Sequence, residues 1–147
     1  AACIEGLADG TIDAIATDHA PHTVKEKQTD IHSAPPGLIG LETAFSLGLK
    51  LVDNHLIDLP LLIKVFTQGP VQAWNLSNRV NIKGLGSLEV GGIADITIIN
   101  LDSVWDVNQG TIHSLGVNTP YLDDILKGSI MMTIAAGCKV YEADDGS

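Results

Sequence analysis

Basic residues are scarce in this chain: 8 Lys and Arg stand against 18 Asp and Glu in 147 residues, a formal net charge of −10. Such a surface repels phosphate backbones and anionic lipid headgroups, and no run of Lys or Arg offsets it, so nucleic-acid and membrane-surface roles are excluded. Cysteine is nearly missing too. Cys3 and Cys138 lie near opposite ends without C-x-x-C spacing, which leaves neither a disulfide scaffold nor a zinc knuckle; both are expected as reduced thiols packed like small buried hydrophobes. No segment approaches the roughly 18 uninterrupted apolar residues of a membrane span. Ala1 to Leu7 lacks the basic flank of a targeting peptide, so a soluble cytoplasmic protein is expected. Internal repeats and linkers are also lacking. What is present is 45% hydrophobic residues, enough for one ordinary core.

The apolar run Ile12-Asp13-Ala14-Ile15-Ala16 ends abruptly in Thr17-Asp18-His19-Ala20-Pro21-His22. Small and branched residues giving way to titratable ones describe a buried strand that delivers a carboxylate and imidazoles to the C-terminal mouth of an α/β barrel. Ala1 to Asp9 reads as a helix closed by Gly10, Thr11 to Thr17 as the strand, and Asp18 to Gly40 as a long loop of the kind that carries function. Helical periodicity follows from Gly40. Asp58 is a good N-cap with Pro60 close behind it, and Gly69-Pro70 opens a further helix through Leu76.

Beyond about Asn78 the signal turns to short strands, Ile96 to Leu101, Val104 to Val107 and Ile130 to Ile134, with a hairpin into Gly137-Cys138-Lys139-Val140-Tyr141 and an acidic, frayed tail from Glu142 to Ser147. Two regions result: 1–77, holding strand 11–17, site loop 18–40 and helices 41–77, and 78–147, a small β region. A lone strand so near the start of the chain implies that most of the barrel lies outside this sequence.

Thr17-Asp18-His19-Ala20-Pro21-His22, then Glu26-Lys27, then Ala34-Pro35-Pro36-Gly37-Leu38-Ile39-Gly40-Leu41-Glu42-Thr43 resembles the last barrel strand and following loop of bacterial dihydroorotases, members of the amidohydrolase superfamily. Gly86-Ser87-Leu88-Glu89-Val90-Gly91-Gly92-Ile93-Ala94-Asp95 resembles the superfamily's β-sandwich segment, and Asn118-Thr119-Pro120-Tyr121 with Leu126-Lys127-Gly128 the dihydroorotase C-terminus. Gly69-Pro70-Val71 stands where Asn-Pro-Ala is common, and Tyr121-Leu122-Asp123-Asp124 replaces an aromatic-x-Gly turn.

The resemblance implies an α/β fold: the C-terminal piece of a TIM-type (β/α)8 amidohydrolase barrel, its last strand and following helices, with part of a composite β-sandwich. It implies reversible, zinc-dependent hydrolysis of the cyclic amide of dihydroorotate to N-carbamoyl-L-aspartate in pyrimidine biosynthesis, with one or two zinc ions. Asp18 is expected both to ligate zinc and to act as the general base that carries a proton to the amide nitrogen. His22, Pro36 and Gly37 are expected to hold the substrate carboxylate and ring, glycine because it permits close backbone approach. The remaining zinc ligands are missing, so the chain by itself is expected to be inactive and not to retain the metal.

Truncated strand neighbours imply self-association, and the family implies a homo-oligomer, with aspartate transcarbamoylase as a protein partner. A hydantoinase- or allantoinase-type cyclic amidase and a non-catalytic scaffold are the alternatives; His22 favours dihydroorotase over the former, and the intact site residues favour an enzyme over the latter. His19 reads as a structural hydrogen-bonding residue, His32 as a solvated loop residue, and Lys25-Glu26-Lys27 as a solvated face or a loop-positioning patch.

Overall fold

The computed structural model describes residues 2–143. Helix α1 (Ala2–Asp9) ends at Gly10, whose φ of +82° is the left-handed geometry that glycine adopts without a Cβ penalty. The expected strand 11–17 is an extended segment without a ladder. A strand exists only through a partner's backbone groups, and here the Ile12 N–H bonds to the Gly6 carbonyl of α1 (2.8 Å) and the Ile15 N–H to the Val65 carbonyl (3.1 Å) instead.

After a short α2 (Val24–Lys27), helices α3 (Ala44–Asp53), α4 (Leu59–Phe66), α5 (Gln68–Ala73) and α6 (Leu76–Val80) follow. Asp58 caps α4, its Oδ1 accepting the Leu61 N–H at 2.8 Å with Pro60 in the first turn. The helix expected through Leu76 breaks at Asn75, which takes a left-handed φ of +51° before α6 begins. Gly48 lets α4 close on α3: a Cβ there would lie 2.6 Å from Leu62 Cδ1. Leu62 is fully buried in a cluster with Leu49 and Ile57, flanked by Ile4, Phe45 and Leu101.

Strands β1 (Ile96–Asp106), β2 (Ile125–Ala135) and β3 (Cys138–Glu142) form one antiparallel sheet in that order, with Ile96 opposite Ile134 and Asp106 opposite Ile125. β1 is one strand where the sequence suggested two. Asn100 Oδ1 accepts the N–H groups of Asp102 (3.0 Å) and Ser103 (3.2 Å), so the irregularity between Asn100 and Val104 is a bulge that shifts register without ending the strand. The β2–β3 hairpin turns on Ala136 and Gly137, both at positive φ as a type I′ turn requires, and Asp95 Oδ1 accepts the Ala136 N–H at 2.7 Å. Glu142 belongs to β3, ion-paired with Lys139; the rest of the expected acidic tail from residue 144 lies outside the described residues.

The helices and the sheet share their packing. Trp105 Nε1 donates to Ser46 Oγ at 3.1 Å and Ser46 Oγ donates to the Gly128 carbonyl at 2.7 Å, locking α3 onto β2. A second cluster joins Ile39, at the end of the long loop, to Val107, Ile112 and Leu126. The two cysteines are not the buried small hydrophobes expected: both are exposed, Cys3 on the short α1 and Cys138 on the edge strand β3. Among the described residues no helix is long and apolar enough to cross a membrane.

Candidate active site

Asp18 sits where the extended segment turns into the long loop, exposed and at φ +47°, a left-handed position that a short polar side chain tolerates better than most. Its carboxylate makes no hydrogen bond among the described residues. Immediately after it the chain meets its own loop end. His19 bridges Leu38 in parallel register, the Ala20 N–H donates to the Leu38 carbonyl at 2.8 Å, and the Gly40 N–H donates to His19 Nδ1 at 3.1 Å. His19 thus has the hydrogen-bonding role expected of it, with Nδ1 as an unprotonated acceptor.

His22 points across the loop, its Nε2 3.0 Å from the Pro36 carbonyl oxygen and its Nδ1 3.8 Å from Glu26 Oε2. Glu26 is itself fixed by a capping box: Thr23 donates its N–H and hydroxyl to Oε2, and the Glu26 N–H returns to Thr23 Oγ1. Those Thr23 donors, backbone first, and more weakly the His22 ring hold the exposed Glu26 carboxyl below its ordinary value. Gly37 completes the group. At φ +136° it packs so closely that a Cβ would lie 2.7 Å from the Ala20 carbonyl oxygen and 3.1 Å from His22 Cδ2.

Asp18, His22, Pro36 and Gly37 are therefore brought to one loop, with His22, Pro36 and Gly37 in mutual contact. Two further residues take part that the sequence did not single out as site residues. Lys27 Nζ donates to the Pro35 carbonyl at 2.7 Å, the positioning alternative for the charged patch. Asn118, in the connection between β1 and β2, donates its Nδ2–H to the Gly37 carbonyl at 2.8 Å, and its backbone carbonyl accepts the Ile39 N–H at 3.0 Å. The Thr23-x-x-Glu26 spacing was a readable signal for α2; the Asn118-Thr119-Pro120-Tyr121 segment carried the family resemblance, but nothing local marked Asn118 as part of the site.

Behind the loop, Glu42 Oε1 accepts both the N–H (2.7 Å) and the hydroxyl (2.6 Å) of Ser114. Burial pushes the Glu42 carboxyl up, but the Ser114 hydrogen bonds, with help from Glu42's own backbone and from His19, bring it below the ordinary range. His32 is exposed in the loop, and His113 stacks edge-on against Tyr141 with ring centroids 5.9 Å apart.

A carboxylate oxygen is a donor type that zinc accepts, and Asp18, exposed and without a hydrogen bond, fits as one ligand. Among the described residues no group of three or more His, Cys, Asp or Glu side chains is arranged to hold a metal, so the others would have to come from outside them.

No family model matches the chain. It is similar to the dihydroorotase of Syntrophus aciditrophicus, 41% identical over 140 residues, and to that of Geobacillus sp. strain WCH70, 46% identical over 142 residues. These alignments cover 95% and 96% of this chain but only 31% and 32% of those proteins, so the chain spans about a third of the length of the curated relatives it matches. Among solved structures, the L-hydantoinase of Arthrobacter aurescens superposes with a TM-score of 0.78 at 26% identity, covering 95% of this chain and 31% of that one. The dihydropyrimidinase of Brevibacillus agri superposes at 0.85 with 17% identity, covering 96% and 31%, a likeness of fold alone.

Proposed function

This chain is homologous to about a third of a dihydroorotase, and on that premise we propose that it forms the C-terminal part of a zinc-dependent dihydroorotase, carrying the proton-handling carboxylate and the loop that receives the substrate's own carboxylate. Residues 1–77 then supply the end of an amidohydrolase barrel and 78–147 its share of a β-sandwich. The observation that carries the reading is the convergence of His22, Pro36 and Gly37 on one loop that opens directly from Asp18.

Zinc, when bound, supplies Lewis acidity toward the ring carbonyl and the attacking water, with Asp18 among its ligands. The Asp18 carboxylate, free of competing hydrogen bonds, takes the proton of the water and delivers it to the amide nitrogen as the ring opens; the reverse transfer serves ring closure. His22 is held against Gly37 by its bond to the Pro36 carbonyl, and the Gly37 N–H has no acceptor among the described residues. His22 receives the carboxylate of dihydroorotate by exchanging its Nε2 contact with the Pro36 carbonyl for it, a charge-assisted contact that an uncharged substrate would not gain, while the Gly37 N–H, on the opposite side of that peptide, meets the ring. Substrate and product are then dihydroorotate and N-carbamoyl-L-aspartate, and the compartment is the cytoplasm. The chain alone, with one metal ligand, is inactive. Homo-oligomeric assembly of the parent belongs to the same proposal.

In the full-length enzyme His22→Ala is expected to raise KM for dihydroorotate about ten- to hundredfold, the loss of one charge-assisted hydrogen bond, while kcat changes little. Steady-state kinetics checks this, and an unchanged kcat/KM would remove His22 from the substrate site. The structural neighbours favour one rival, a hydantoinase-type cyclic amidase. Its substrate ring bears no matching carboxylate, so its turnover would be indifferent to His22.

A further inference from the structure

The Pro35-Pro36-Gly37 run poses a problem of backbone control: two of its three residues have no N–H, so hydrogen bonds can fix it almost only through its carbonyls. All three carbonyls are held, each by a side chain from a different place. Lys27 donates to Pro35 (2.7 Å), His22 approaches Pro36 (3.0 Å), and Asn118 donates to Gly37 (2.8 Å). Asn118 also accepts the Ile39 N–H through its backbone carbonyl, gripping the chain on both sides of Leu38. Resting on the reading of this loop as the carboxylate-binding loop, we propose that Asn118 and Lys27 are positioning residues: by tying the Gly37 and Pro35 carbonyls to the protein they fix the peptides on either side of the Pro36–Gly37 peptide, so that the Gly37 N–H stays turned to the substrate.

The physical argument is one of preorganisation. A glycine at φ +136° sits in a region that an unrestrained chain samples among many others, and the N–H of a peptide points opposite to its carbonyl. Fixing the Pro35 and Gly37 carbonyls fixes the planes on either side of the Pro36–Gly37 peptide, so the substrate does not have to order the loop when it binds. Asn118 lies 81 residues from Gly37, so the β region has a task in the site beyond covering the helices.

The test is Asn118→Asp in the full-length enzyme, which keeps the size and the backbone contact to Ile39 but replaces the N–H donor with a carboxylate facing a carbonyl. KM for dihydroorotate is expected to rise about tenfold or more with kcat within about threefold, because the loss falls on substrate capture. Lys27→Met is expected to raise KM less and Lys27→Arg to restore it, a rescue that a merely packed side chain would not show. Amide exchange over residues 34–40, read by mass spectrometry, is expected to accelerate at least about tenfold in Asn118→Asp while the melting temperature moves little. Unchanged exchange in that loop, or an unchanged KM in an active enzyme, overturns the clamp. Accelerated exchange in a full-length protein that leaves dihydroorotate intact supports the clamp and overturns the functional reading alone.

Discussion

Replacing Asp18 by Asn in the full-length enzyme is expected to lower kcat for dihydroorotate hydrolysis by at least about 10³-fold, because one residue loses two roles at once. An amide cannot take a proton from water at neutral pH, and it is a poorer zinc ligand than a carboxylate. The side chains are nearly isosteric, and Asp18 makes no hydrogen bond that folding depends on, so the melting temperature should stay close to that of the unsubstituted enzyme. Asparagine also accepts the left-handed φ of +47° at this position, so backbone strain does not confound the result. Kinetics together with metal analysis separates the two losses: a metal-loaded Asp18→Asn variant that is still inactive assigns the deficit to proton transfer. A fall in kcat of less than about tenfold would take Asp18 out of the chemistry.

Gly37→Ala carries the second large effect. Its added methyl would lie 2.7 Å from the Ala20 carbonyl oxygen and 2.9 Å from Ala20 Cβ, atoms of a backbone already bonded to Leu38 and with little room to yield. The φ of +136° is closed to alanine as well. Either the loop moves or the residue is strained by about 1–3 kcal/mol, and movement separates Gly37 from His22. KM for dihydroorotate is expected to rise about tenfold to hundredfold, with a lower melting temperature as the strain is shared. Kinetics with thermal unfolding checks this. A variant with unchanged KM and stability would show that Gly37 is neither tightly packed nor part of the substrate site.

Local chemistry was legible in the sequence; long-range geometry was not. Asp58 with Pro60 announced the start of α4 because capping depends on residues three apart. The same capping spacing at Thr23 and Glu26 marks α2, a helical turn inside the long loop that periodicity could not show because it runs for only four residues. The apolar run Ile12 to Ala16 has the composition of a strand, but pairing is a property of neighbours, and its amides bond to α1 and α4 carbonyls. The break that Asp102 and Ser103 suggested in β1 proved to be a bulge, because the Asn100 side chain satisfies both amides locally. Cys3 and Cys138 were misread because a small apolar side chain says nothing about which face of a short helix or edge strand it occupies.

The candidate site follows the same division. Asp18, His22, Pro36 and Gly37 could be named from their order along the chain; the close approach expected of Gly37 was to the substrate, and what the fold adds is its tight packing against Ala20 and His22. Asn118 could not be found that way. Its partners lie 79 to 81 residues earlier, and only the fold brings them together.

The measurement that bears most directly on the account is kcat/KM of the full-length, zinc-loaded protein for dihydroorotate against hydantoin, a cyclic amide without the carboxylate. The account predicts a preference for dihydroorotate of at least about hundredfold, the worth of a charge-assisted contact at His22. Equal use of the two rings, or turnover of hydantoin alone, would contradict it.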